Sequence, residues 1–152
     1  MSAALRFLTD EQSRLATAVL DEIIPPEGDL PGAGEAGGAQ RLDVVLVDNP
    51  DLRRTILETL QAIDIAAGSC GFLALEPAAR PEVLRAVEAA EPDAFTTLVT
   101  QTFNVYYTSP EVRRAVGFTP ENPQPDGFTD VRPFDPELLD GVRRRNRTWR
   151  RV

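Results

Sequence analysis

Six side chains of one segment, Phe95, Leu98, Val99, Thr102, Phe103 and Tyr106, stand at i, i+3, i+4, i+7, i+8 and i+11. That spacing gathers them into a single stripe only if the segment is an α-helix. It predicts the central helix of the core, with Phe95 and Phe103 contributing the largest buried areas. Of the adjacent tyrosines that end it, Tyr106 is expected to face inward and Tyr107 outward. The stripe reads as core packing rather than as a cofactor site.

The same period recurs along the chain. Thr9 and Gln12 have the spacing of a capping box, and Leu15, Ala16, Val19, Leu20, Ile23 and Ile24 follow in two adjoining rows. Pro25 and Pro26 end this helix, because proline disfavours helical geometry in the residue before it. Residues 27–38, with Pro31-Gly32-Ala33-Gly34 and Gly37-Gly38, read as a loop. Leu42, Val45 and Leu46 fit a helix, although residues 44–47 would also suit a short buried strand; the helical surroundings favour helix. Pro50 suits a helix start. Leu52, Ile56, Leu60 and Ile63 continue that helix towards Gly68 and Gly71. Shorter helices are expected over 81–90, with Val83, Leu84 and Val87 inward, and over 110–116. Helix follows helix, so the fold class is all-α, a small irregular bundle.

Residues 117–136 break the pattern. They hold five of the 13 prolines together with Phe118, Phe128 and Phe134. This composition excludes helix but is too aromatic for a plain linker. It suits an extended strap lying along a surface, its own or a partner's. A basic helix is expected after it, with Leu138, Val142 and Trp149 on one face. The resulting division is a helical body over 1–116, a strap over 117–135 and a basic C-terminal helix over 136–152.

Composition limits the chemistry. The chain has no histidine, and all 16 of its basic residues are arginine. Histidine-dependent nucleophilic catalysis, Schiff-base chemistry and a phosphate-binding P-loop are therefore excluded. The single cysteine, Cys70, cannot close an internal disulfide or build a zinc or iron–sulfur site alone. It is expected as a small buried or half-buried residue in the turn Gly68-Ser69-Cys70-Gly71. The carboxylate pairs Asp21-Glu22 and Glu91/Asp93 lie at helix ends or on polar faces and read as structural. The glycine-rich segment 31–38 does not follow a strand, and Glu27, Asp29 and Glu35 beside it would repel a phosphate. No catalytic, cofactor-binding or metal-binding residue is assigned.

Charge is unevenly placed. Residues 1–141 carry a balance of −14 and residues 142–152 one of +6, for a formal net charge of −8. The acidic body argues against nucleic-acid binding as the main role. For the tail three readings stand open: an RNA or anionic-membrane contact through Trp149 and the arginines, docking on an acidic surface, or a solvated helix end. No apolar run approaches the length of a membrane span, and no direct membrane insertion is expected. The N-terminus lacks a signal-peptide pattern and a twin-arginine pair, so a cytoplasmic location is expected, periplasmic only if a partner exports the chain.

Three patches carry a resemblance. The first is Leu8-Thr9-Asp10-Glu11-Gln12 leading to Asp21-Glu22-Ile23-Ile24-Pro25-Pro26. The second is Pro31-Gly32-Ala33-Gly34-Glu35-Ala36-Gly37, followed by Asp43. The third is Tyr106-Tyr107-Thr108-Ser109-Pro110, then Gly117, then Pro123-Gln124-Pro125-Asp126-Gly127. In this order the chain resembles the small-subunit family of gluconate 2-dehydrogenase, the subunit 3 family, over roughly residues 8–128. The resemblance implies a non-catalytic partner of a large FAD-dependent dehydrogenase of the glucose–methanol–choline type acting on sugars, sugar acids or polyols. FAD is then expected on that partner and none on this chain. It also implies a chaperone-like role in maturation of the large subunit, often with an export signal that this sequence lacks.

A binding subunit needs exposed aromatic and arginine anchors on a rigid frame. Tyr107, Phe118, Phe128, Phe134 and Trp149 are the expected aromatic anchors, with Arg144 and Arg147 pairing to acids of the partner. The competing expectation is a stand-alone helical small-molecule-binding or regulatory protein with a pocket lined by Phe103 and Tyr106.

Overall fold

A computed structural model of the chain describes residues 5–118 and 135–144. Its contacts divide the chain into two units, Met1–Thr119 and Pro120–Val152. The first unit is built from α1 (Asp10–Ile23), α2 (Gly38–Asp48), α3 (Pro50–Ala66), α4 (Arg80–Ala90), α5 (Pro92–Tyr107) and α6 (Pro110–Ala115). The described residues are all-α, and the ambiguous stretch around residues 44–47 is helical, within α2.

Local chemistry starts and stops these helices where the sequence places the signals. Thr9 Oγ1 accepts from the Gln12 N–H at 3.2 Å, and Gln12 Oε1 accepts from the Thr9 N–H at 2.9 Å. This reciprocal box satisfies two donors that a helix start leaves open. Prolines stand in the first turn of α3, α4, α5 and α6, where their missing N–H costs nothing. The C-terminus of α2 is closed from outside: Arg53 donates through Nε and Nη2 to the carbonyls of Leu46 and Val47. The guanidinium also sits over the Phe7 ring at 4.6 Å, so one side chain links α2, α3 and the segment before α1.

The end of α6 is a Schellman motif. The Gly117 N–H donates to the Arg114 carbonyl at 3.1 Å and the Phe118 N–H to the Arg113 carbonyl at 2.7 Å. Gly117 has φ +76°, a left-handed conformation that a side chain would strain.

α5 packs against α1, α2, α3, α4 and α6, which makes it the central helix. Val19, Leu20, Leu42, Leu46, Ile56, Leu60 and Ile63 are among the fully buried side chains of the helices around it. On α5 itself Phe95, Leu98, Thr102, Val105 and Tyr106 are buried. Phe103 departs from the expected stripe: it is 44% exposed. Successive i+4 steps drift around a 3.6-residue helix, so the row Phe95, Val99, Phe103 leaves the core by its third member. Thr102 and Val105 take the inward positions, and the Thr102 hydroxyl is satisfied by the Leu98 carbonyl at 2.9 Å.

The turn after α3 also differs from expectation. Cys70 is exposed rather than buried or half-buried. The core plug from this turn is Phe72, which is fully buried. The Phe72 N–H donates to Asp64 Oδ1 at 2.9 Å, anchoring the turn to α3 and aiming Phe72 inward. With that ring filling the site, Cys70 is left on the outside of the turn.

In the second unit a tight turn at Pro136–Leu139 precedes α7 (Asp140–Arg144). Asp135 starts it by accepting from the Glu137 N–H at 2.9 Å. The strap between residues 119 and 134 and the chain beyond 144 lie outside the described residues, as do Phe128, Phe134, Arg147 and Trp149.

Candidate partner-binding surface

The loop between α1 and α2 is fixed from three sides. From α1, the Asp21 carboxylate accepts the Gly34 N–H at 2.7 Å and the Glu35 N–H at 3.2 Å, both on Oδ1. The Ala33 N–H donates to the Ile24 carbonyl at 2.9 Å. From α5, the Tyr106 hydroxyl donates to the Pro31 carbonyl at 3.1 Å. The loop then braces itself, with the Gly32 N–H donating to Glu35 Oε2 at 3.3 Å. Asp21, the 31–37 loop and Tyr106, which belong to three separate motifs in the sequence, therefore meet in one clamp.

This clamp explains why a glycine-rich loop can carry acids beside it. Its Gly34 and Glu35 N–H groups are taken by Asp21 of the same chain rather than offered to a phosphate. Burial pushes the Asp21 carboxyl above its ordinary value, against the opposing effect of the Glu35 and Gly34 N–H bonds, and the Glu35 charge adds to the rise. The Tyr106 phenol is likewise raised, first by burial and then by Tyr107 and Glu27.

A second carboxylate ties down the segment before α1. Asp43 of α2 is 1% exposed. Its Oδ2 accepts the Arg6 N–H at 2.7 Å, and its Oδ1 accepts the Phe7 and Leu8 N–H groups at 2.9 and 2.6 Å. Burial alone would raise its pKa, but the three N–H bonds and the Arg6 charge outweigh burial and hold the carboxyl below its ordinary value. Asp43, one of the residues that carry the family resemblance, is thus a structural anchor.

The clamp positions the exposed aromatic residues. Tyr106 is 4% exposed and Tyr107 52%, so the adjacent tyrosines divide inward and outward as expected. Tyr107 meets Tyr106 edge-on with centroids 5.1 Å apart and stacks on Phe103 at 6.2 Å with the rings 8° from parallel. Phe103 and Tyr106, assigned together to a pocket wall in the competing expectation, are in different environments, one outward and one buried. Just past α5, the buried Ser109 hydroxyl accepts from Arg41 Nη2 at 3.3 Å, which joins α2 to this corner.

Phe118 is 54% exposed, its ring covered on one side by the Arg113 guanidinium at 4.3 Å. Arg144 in the second unit is exposed, and its Nε donates to the Asp140 carbonyl at 3.2 Å. An apolar groove of about 350 Å3 lies between α3 and α4, lined by Ala62, Ala66, Ala86, Val87 and Ala90 among others. Among the described residues no group of three His, Cys, Asp or Glu side chains is placed to hold a metal. No described helix is long and apolar enough to cross a membrane.

Periodicity alone assigns Phe103 to the core, where the structure has it exposed. A signal for it existed: residues 94–110 are the longest uncharged stretch of the chain, in a protein with 26% charged residues.

Fold and surface together define a small all-α protein whose motif residues lock its own backbone and hold an aromatic pair outward. The chain belongs to the gluconate 2-dehydrogenase subunit 3 family, whose model matches residues 10–123. No curated protein and no solved structure matches it.

Proposed function

We propose that this chain is a non-catalytic small subunit of an FAD-dependent dehydrogenase complex of the glucose–methanol–choline type. It binds and stabilises the large flavoprotein subunit, which holds the FAD and oxidises a sugar, sugar acid or polyol. The observation that carries this reading is the family match over residues 10–123, most of the chain. The lack of histidine and lysine fits a division of labour in which acid–base and covalent chemistry reside on the other chain.

The binding surface is assigned to exposed aromatic and arginine side chains, the types that dominate interface energetics. Tyr107 and Phe118 have the exposure this role requires. Phe128, Phe134 and Trp149 are proposed from composition, with Arg144 and Arg147 pairing to acids of the flavoprotein.

Co-expression tests the reading. The large subunit expressed with the full chain is expected to yield more flavin-loaded protein than the large subunit alone, and a chain ending at Val116 is expected to lose most of that gain. Equal yield with and without this chain contradicts the subunit role. Equal yield with the full and shortened chains contradicts the assignment of anchors beyond Val116.

A further inference from the structure

We infer that the groove between α3 and α4 receives a basic amphipathic helix of the flavoprotein subunit. An apolar side chain of that helix fills the groove, and its lysines or arginines face the acids around it. The inference rests on the subunit reading above and adds a contact to the anchors named there. The groove has a volume of about 350 Å3 and an apolar floor, Ala62 and Ala66 from α3 with Ala86, Val87 and Ala90 from α4. Ile65 lines it too, and at 70% exposure it is the most exposed large apolar side chain among the described residues.

Charge specifies the occupant, and two observations agree on its sign. The first is the rim. One helical turn, three or four residues, to either side of each lining residue reaches Glu58, Glu82, Glu88 and Asp93 and no arginine. Glu91 lines the groove itself. All of these acids are exposed. Arg85, the neighbour of Ala86 in the chain, pairs with Glu82; the other acids of the rim form no ion pair among the described residues. The next base along α3, Arg54, lies two turns before Ala62.

The second observation is the backbone. Ala66 ends α3 and Ala90 ends α4, so the negative ends of two helix dipoles meet at the groove. Neither helix has a basic residue in its last turn to answer them. α5 starts beside them at Pro92, and Asp93 in its first turn matches its positive end. The groove thus combines apolar contact with an unanswered negative field, which is complementary to cations carried on an apolar stripe. Side chains one turn apart on a docked helix supply both. The body of a second copy of this chain, with its balance of −14 over residues 1–141, would set acid against acid.

The test uses the full chain and the purified flavoprotein that wild type retains. Ala86 is exposed, so a larger side chain there fills the groove without entering the core. Ala86→Trp is expected to weaken binding by about tenfold or more, and Ala86→Ser to bind within about twofold of wild type, both with the helical circular-dichroism signal unchanged. Glu58→Arg is expected to slow association and flatten its salt dependence. Asp48→Arg makes the same change of charge at the far end of α3, roughly 20 Å away along the helix and well beyond the ~8 Å screening length at physiological salt. Its association rate is expected to stay within about twofold of wild type.

Wild-type binding by Ala86→Trp overturns the docking site while leaving the subunit reading intact. An equal loss in Ala86→Ser also overturns it, because filling the groove would then not be the cause. Faster association of Glu58→Arg, or equal slowing by Asp48→Arg, contradicts a basic occupant at this rim. A wild-type dimer dissociated by Ala86→Trp, with flavoprotein binding unchanged, assigns the groove to the basic end of a second copy instead. Wild type that retains no flavin-containing protein removes the subunit reading and this inference with it.

Discussion

Gly34→Ala is expected to destabilise the protein by about 3 kcal/mol, the upper part of the range for overpacking. A Cβ at Gly34 would lie 2.2 Å from the Thr17 carbonyl oxygen and 2.6 Å from Asp21 Oδ2. The first of these is backbone in the middle of α1, beside the fully buried Ala16, so it can retreat only if the helix shifts. The second is the carboxylate that accepts the Gly34 N–H itself, so movement of Asp21 breaks the clamp that the loop depends on. Relief in either direction therefore costs helix packing or the hydrogen bonds that hold the loop to Asp21. Thermal unfolding reads the effect as a fall of about 10 °C in the midpoint. A variant as stable as wild type would contradict the close approach of loop and helix.

Asp43→Ala is the second large effect, about 3 kcal/mol. The substitution leaves three N–H groups without their acceptor, and that of Leu8 is buried. Leu8 is itself part of the core, and Phe7 stacks under Arg53, so release of residues 6–8 loosens both contacts. Asp43→Asn is expected to be milder but still destabilising. One amide oxygen can keep the Phe7 and Leu8 bonds, while the amide NH2 then faces the Arg6 N–H, donor against donor. Hydrogen exchange locates the damage: the amides of residues 6–8 should lose protection before those of α5.

The same carboxylate gives a pH signature. The folded-state pKa of Asp43 lies below its unfolded value. Its contribution is therefore complete above the ordinary carboxylate range and disappears as pH falls through the folded value. The stability gap between wild type and Asp43→Asn should shrink as pH is lowered below about 4. Asp21 behaves in the opposite sense, because its folded-state pKa is raised. Its contribution is present below the unfolded value and is lost as pH rises through the folded one. A gap that widened on acidification in Asp43→Asn would contradict the N–H anchor.

Much of the fold was legible because helices announce themselves through period and punctuation. The Thr9–Gln12 box, the prolines opening α3 to α6, and the row Leu52, Ile56, Leu60, Ile63 are each local signals, and Ile56, Leu60 and Ile63 are buried as read. What resisted reading depends on distant partners. Asp43 interrupts an apolar run, and only the N–H groups of residues 6–8 make its burial favourable. Phe72 sits in a turn with no period to place it. Phe103 lies one i+4 step too far around the helix for its row to stay in the core. The clamp was visible as three separate motifs, but nothing local to any of them shows that Asp21, the 31–37 loop and Tyr106 share one place.

That clamp connects fold to proposed function. It ties the end of α5 to the α1–α2 loop through the Tyr106–Pro31 bond, and Tyr107 and Phe103 pack in turn on Tyr106 and on each other. A subunit built to bind rather than react requires such rigidity, since flexible anchors would lose entropy on docking.

The most direct measurement is affinity purification of the tagged full chain from its native cell, followed by mass and absorbance measurements on the eluted species. The expected result is a yellow complex containing this chain and a larger flavin-bearing protein in fixed proportion, stable through gel filtration. A colourless monomer, folded and without a stoichiometric partner, would contradict it.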